Sequence, residues 1–129
     1  MSLTTLHAKL GDGYQTALTA RTHAFTADEP TEVGGTDTAP SPVELLLGSV
    51  AACTAITLRM YARRKEWPLD DVEVRVDYTA TPTPTMVKHI TMRGGLDATQ
   101  QARMLEIAEA CPVAKLLQPG VAMQSRLAE

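Results

Sequence analysis

The sequence predicts an α+β fold in which antiparallel sheet packs around one long buried central helix, with two further helices. Three observations carry that prediction. Residues 71–80, "DVEVRVDYTA", alternate apolar and polar side chains and are followed by a turn signal and a second alternating run. Val43 to about Arg64 is apolar with helical spacing. Two helix-start signals then follow in quick succession, and strands grouped apart from helices indicate α+β rather than a parallel α/β sheet. The 129 residues are read as a single domain, 1–129, with 44% hydrophobic and 21% charged residues, as in globular chains. No internal repeat or low-complexity segment stands out.

From the N-terminus onward, residues 14–27, "YQTALTARTHAFTA", read as one strand with Arg21, His23 and Phe25 on one face. Residues 28–42, "DEPTEVGGTDTAPSP", hold three prolines and two adjacent glycines and read as a loop. Pro42 suits a helix start and Ser41 its cap. The helix that follows would be a rod of roughly 33 Å. Its apolar residues circle nearly the whole circumference, which predicts burial on all sides. One small sheet cannot supply that cover, so a homodimer is expected. The basic far end, Arg59, Arg63, Arg64 and Lys65, matches the helix dipole and reads as a solvated end rather than an anion site. "WPL" stops the helix, "TPTPT" turns the hairpin, and "MVKHITMRG" is the returning strand. Asp97 with Gln100 forms a capping-box pattern for a helix through about Ala110. Pro112 opens a short helix ending near "QPG", and "VAMQSRL" reads as a closing strand.

Charge and motifs exclude several functions. Twelve Lys and Arg against fifteen Asp and Glu give a net charge of -3, which argues against nucleic acid or anionic lipid as partner. The N-terminus lacks the pattern of a secretory signal, so a cytoplasmic protein is expected. The stretch from Val43 to Ile56 is read as too short and too interrupted to span a membrane. There is no Cys-x-x-Cys, and His7, His23 and His89 have no zinc-site spacing. A phosphate-binding glycine loop and a Gly-x-Ser-x-Gly elbow are also absent.

The two cysteines remain. Cys111 directly precedes Pro112, so it stands at or near an N-cap, where free backbone N–H groups favour a thiolate; it is either a reactive sulfur or a packed one. Cys53 lies mid-helix with no local cation, and by itself reads as core. A reactive Cys53 needs a cation from elsewhere, and Arg21 is the candidate.

"GGTDTAPSPVELLLGSVAACTAITL", followed after a hairpin and a helix by "CPV", resembles the osmotically induced and organic-hydroperoxide-resistance family (OsmC/Ohr). The resemblance runs from about Arg21 to the last apolar segment. It implies an intertwined homodimer and a peroxidase in which Cys53 attacks a hydroperoxide, becomes a sulfenic acid and is resolved by Cys111 as a disulfide. It further implies Arg21 as the cation beside the attacking sulfur, organic hydroperoxides as preferred substrates, no metal or organic cofactor, and a dithiol reductant such as lipoyl groups. The family's arginine-orienting carboxylate falls ten positions before the reactive cysteine, where this chain has Val43; the nearest carboxylate is Glu44, one position later. The alternative function is a redox-sensing or small-molecule-binding domain of the same fold that does not turn over.

Overall fold

The computed structural model describes residues 3–128 and divides the chain into two compact units, Met1–Leu46 and Leu47–Glu129. The N-terminal unit is a three-stranded antiparallel sheet with a long loop. Its strands are β1 (His7–Leu10), β2 (Thr16–Ala20) and β3 (His23–Ala27), in the order β1-β2-β3. The single strand expected over residues 14–27 is therefore a hairpin, with Ala20 paired to His23 across a turn at Arg21 and Thr22. Arg21 takes φ 55°, a left-handed value that glycine or asparagine normally supplies. Nothing in "TARTHA" marks such a turn, and strand-like residues on both sides concealed it.

The loop after β3 is organised by Asp28, which is 1% exposed. Its carboxylate accepts from the backbone N–H of Glu29 (2.7 Å), Thr36 (3.4 Å) and Thr38 (3.1 Å) and from the hydroxyls of Thr36 (2.6 Å) and Thr38 (2.7 Å). Gly35 lies where a Cβ would collide with the Glu29 carbonyl, so the folded loop admits only glycine there. The loop ends in a reciprocal cap: Ser41 N–H donates to Glu44 Oε1 at 2.9 Å, and Glu44 N–H donates to Ser41 Oγ at 3.2 Å.

That cap opens α1 (Pro42–Lys65), most of which belongs to the C-terminal unit. β4 (Leu69–Thr79) and β5 (Thr85–Gly94) form the expected hairpin, with Val74 opposite Ile90 and Val76 opposite Lys88. Two helices follow, α2 (Ala98–Ala108) and α3 (Pro112–Leu117). Asp97 and Gln100 make the capping box read from the sequence.

The core of this unit joins Leu58, Tyr61 and Ala62 of α1 to Leu69, Leu96, Met104 and Ala108, with Val72, Ile90 and Met92 packed against them. Burying a side chain such as Leu58 or Met104 contributes about 2 to 3 kcal/mol. Buried α1 residues recur as Val50, Thr54, Leu58, Tyr61 and Ala62, one stripe of the helix. Within one chain the burial is confined to that stripe, and Ile56 and Met60 are 54% and 66% exposed. The membrane argument needs correcting, because α1 as a whole is 24 residues long with an 18-residue window of mean hydropathy 1.5, long and apolar enough to cross a bilayer by length and composition. Leu58, Tyr61 and Ala62 of α1 belong to the core, while 17% of that window is buried within the chain. At its basic end Arg59 is committed to structure, donating to the carbonyls of Leu69 and Asp70.

The expected closing strand does not form. Residues 121–128 make no ladder, and Val121, Met123 and Leu127 are 48%, 88% and 91% exposed. An apolar sequence becomes a strand only where a neighbouring edge accepts its N–H and C=O groups.

Candidate active site

The site is assembled from four elements of the C-terminal unit. On α1, Thr54 is fully buried in the packed stripe and its neighbour Cys53 is half-buried. On β5, alternation sets Lys88 on the same side as the partly buried Met86, Ile90 and Met92. A lysine on an apolar strand face must find polar partners, and this one does. Its Nζ donates to the Ala108 carbonyl at 2.7 Å and to Thr54 Oγ1 at 3.2 Å. The Ala108 carbonyl lies at the C-terminal end of α2, where carbonyls lack helical partners and the dipole favours a cation.

The fourth element is the start of α3. Cys111 is its N-cap, and its sulfur is fully buried, accepting from the Ala114 N–H at 3.4 Å and from Thr54 Oγ1 at 3.6 Å. The Cys53 side chain, next in sequence to Thr54, is close enough to act on that sulfur. Burial pushes the Cys111 thiol up, but the Ala114 N–H, the Thr54 hydroxyl, the Cys53 side chain and the Lys88 charge together outweigh it, so its pKa lies below the ordinary thiol value. The sulfur thus ionises more readily than an ordinary thiol and has Cys53 near enough to influence it. Such a pair can interconvert between dithiol and disulfide. Beside it opens a cavity of about 470 Å³ whose walls include Val50, Met86, Leu117, Lys88 and Glu109.

Of the residues singled out in the sequence, Cys53 and Cys111 belong to one cluster, since Thr54, next to Cys53, donates to the Cys111 sulfur. Arg21 is exposed at the β2–β3 turn and makes no ion pair or hydrogen bond among the described residues. Glu44 closes the Ser41 capping box. Both lie in the N-terminal unit. Among the described residues, no three His, Cys, Asp or Glu side chains gather as a metal set would.

Sequence reasoning missed Thr54 and Lys88. The signal for Lys88 was legible, since it interrupts the inward-facing series Met86, Ile90, Met92. Thr54 gave none, because a threonine in an apolar helix is ordinary.

Comparison with known proteins adds the family. The description "OsmC-like protein" matches residues 35–126, a span that holds both cysteines and Lys88. The chain belongs to the OsmC-like family. No curated protein matches it. Among solved OsmC-type structures, one from Psychrobacter arcticus 273-4, whose name assigns it to osmotic stress induction and the detoxification response, is 25% identical. The alignment covers 92% of this chain and 91% of that one, with a TM-score of 0.79. An OsmC-like protein from Mycoplasma pneumoniae is 19% identical over 91% of this chain and 88% of its own, TM-score 0.78. An organic hydroperoxide resistance protein OsmC from Legionella pneumophila is 23% identical over 92% and 90%, TM-score 0.62. These likenesses bear out the α+β fold with antiparallel sheets and three helices.

Proposed function

We propose that this OsmC-like protein is a thiol-dependent peroxidase that reduces organic hydroperoxides, and inorganic ones less well. Family membership supports the reading, as does the name of the Legionella protein of similar fold. The observation that carries it is that both cysteines belong to one cluster: Thr54, next to Cys53 on α1, donates to the Cys111 sulfur at 3.6 Å, and Cys53 is close enough to act on that sulfur. Exposure divides the roles: a peroxide reaches half-buried Cys53 more readily than fully buried Cys111.

In this reading the Cys53 thiolate attacks the terminal oxygen of the hydroperoxide, the O–O bond breaks, and the alkoxide leaves as the alcohol after taking a proton. The sulfur is now a sulfenic acid. The Cys111 thiolate attacks that sulfur, the S–O bond breaks, and hydroxide leaves as water once protonated. An external dithiol, such as a lipoyl group, then reduces the disulfide by exchange. The apolar walls of the adjacent cavity, Val50, Met86 and Leu117, suit an alkyl substituent better than water or hydrogen peroxide.

Arg21 is assigned as the cation that activates Cys53. It lacks a partner among the described residues and occupies a turn position that glycine would fill without strain, which favours a role for its side chain. Glu44 is assigned to orient it, with Oε1 held by Ser41 and Oε2 left for a guanidinium. A homodimer in the cytoplasm completes the proposal, the exposed Ile56 and Met60 on α1 supplying apolar surface for a second copy.

Stopped-flow consumption of cumene hydroperoxide and of hydrogen peroxide tests the reading. It predicts rates well above free cysteine, higher for the organic substrate and lost in Cys53→Ser. Full retention in that variant removes the enzyme; a disulfide that forms but that no dithiol reopens replaces it with a sensor.

A further inference from the structure

The peroxidase reading leaves Lys88 without a task, yet it is the one cation that reaches the sulfur pair among the described residues of the C-terminal unit. We propose that Lys88, acting through the Thr54 hydroxyl, is the positioning residue that holds Cys111 as the resolving thiolate and so governs closing and reopening of the disulfide rather than attack on peroxide. The geometry is a directed chain. Lys88 Nζ donates to Thr54 Oγ1 at 3.2 Å, which turns the hydroxyl proton outward, and that hydroxyl donates to Cys111 Sγ at 3.6 Å. The ammonium is fixed at its other end by the Ala108 carbonyl at 2.7 Å. Because Cys111 is fully buried, water does not supply this stabilisation.

The titratable and charged groups around the cluster are few. Cys53 acts on it from α1 and Lys88 from β5, while Tyr78 of β4 and Glu109, just past α2, share the cavity wall with Lys88; Lys115 of α3 is exposed.

Two steps inherit the effect, both resting on the peroxidase reading. In closure, the Cys111 thiolate forms the S–S bond as the S–O bond of the Cys53 sulfenic acid breaks; Cys111 is oxidised, the sulfenic sulfur is reduced, and the departing hydroxide is protonated by solvent. In reopening, an external dithiol attacks the more exposed Cys53 sulfur and Cys111 departs, faster for being the better leaving group.

The test begins in Cys53→Ser, where Cys111 is the only remaining thiol. Its ionisation is followed by thiolate absorbance near 240 nm against pH, in that background and with Lys88→Met, Lys88→Arg, Thr54→Val or Thr54→Ser added. Lys88→Met and Thr54→Val are expected to move the titration to higher pH, reducing the thiolate fraction at neutral pH roughly tenfold; Lys88→Arg and Thr54→Ser are expected to restore most of it. With both cysteines present, Lys88→Met is expected to prolong the sulfenic acid, trapped with dimedone, and to lengthen its decay by a larger factor than the first-turnover loss of peroxide. A folded Lys88→Met protein, checked by circular dichroism, whose Cys111 titrates as in the parent overturns the proposal. If the titration moves but no peroxide is consumed, the relay stands and the peroxidase reading falls; if peroxide is consumed with the titration unmoved, the reverse holds. Should Lys88→Met not fold, Thr54→Val alone decides, since it breaks the chain without removing the partner of Ala108.

Discussion

Asp28 and Cys111 are both buried acids held toward their anions, but they are built differently. Every donor to Asp28 comes from residues 29 to 38, and all five are neutral. Those hydrogen bonds, Thr36 first and Thr38 next, hold its carboxyl below the usual carboxylate range. Cys111 instead takes its support from two other elements and its own helix start, including an ammonium and a second thiol far away in sequence. The difference separates structure from chemistry. A locally saturated anion fixes a loop and has no valence left for a substrate, whereas a sulfur supported at long range shares its cluster with groups from other elements, a second thiol among them.

Substitutions at the two acids and around them put that contrast at risk in decreasing measure. Cys53→Ser is expected to lower organic hydroperoxide consumption at least about a thousandfold with the fold intact. Asp28→Asn, by contrast, should leave the sulfur chemistry of the C-terminal unit in place; consumption by the folded variant within a few fold of the parent is the check. Met104→Ala, which empties a fully buried core position, is expected to destabilise by about 2 to 5 kcal/mol in urea.

Stability against pH sets the two acids at opposite ends of the scale. Asp28 has a folded pKa below its unfolded value, so its contribution is full above the ordinary carboxylate value of 3.8 and is lost as pH falls toward the folded one. Asp28→Asn is expected to be less stable at neutral pH and to flatten the acid limb of the unfolding curve. Cys111 is also depressed, from an ordinary 9.0, so the reduced protein gains stability as pH rises through the folded value, in full only above 9.0. Urea unfolding under reducing conditions should show that gain in the parent and not in Cys111→Ser. Weakest in effect, Arg93→Ala removes half-exposed ion pairs with Asp71 and Glu73, and should change stability by less than about 1 kcal/mol.

The same contrast explains what was legible in the sequence. Features whose partners lie within a few residues were readable: the Ser41 and Asp97 caps, Cys111 at the start of a helix, and the β4–β5 alternation. The β2–β3 turn was not, because its left-handed residue is an arginine. Nor was the Lys88–Thr54–Cys111 chain, whose members lie 34 and 57 positions apart and meet only through packing. The extended reading of "VAMQSRL" failed for a related reason, since strand pattern states a preference and only a partner edge fulfils it.

Whether the two sulfurs act as one redox unit is decided by mass spectrometry after one equivalent of an organic hydroperoxide. The sulfur pair predicts a loss of two hydrogens that joins the peptides carrying Cys53 and Cys111, reversed by a dithiol. Stable sulfinic acid on Cys53 with an untouched Cys111 would contradict it.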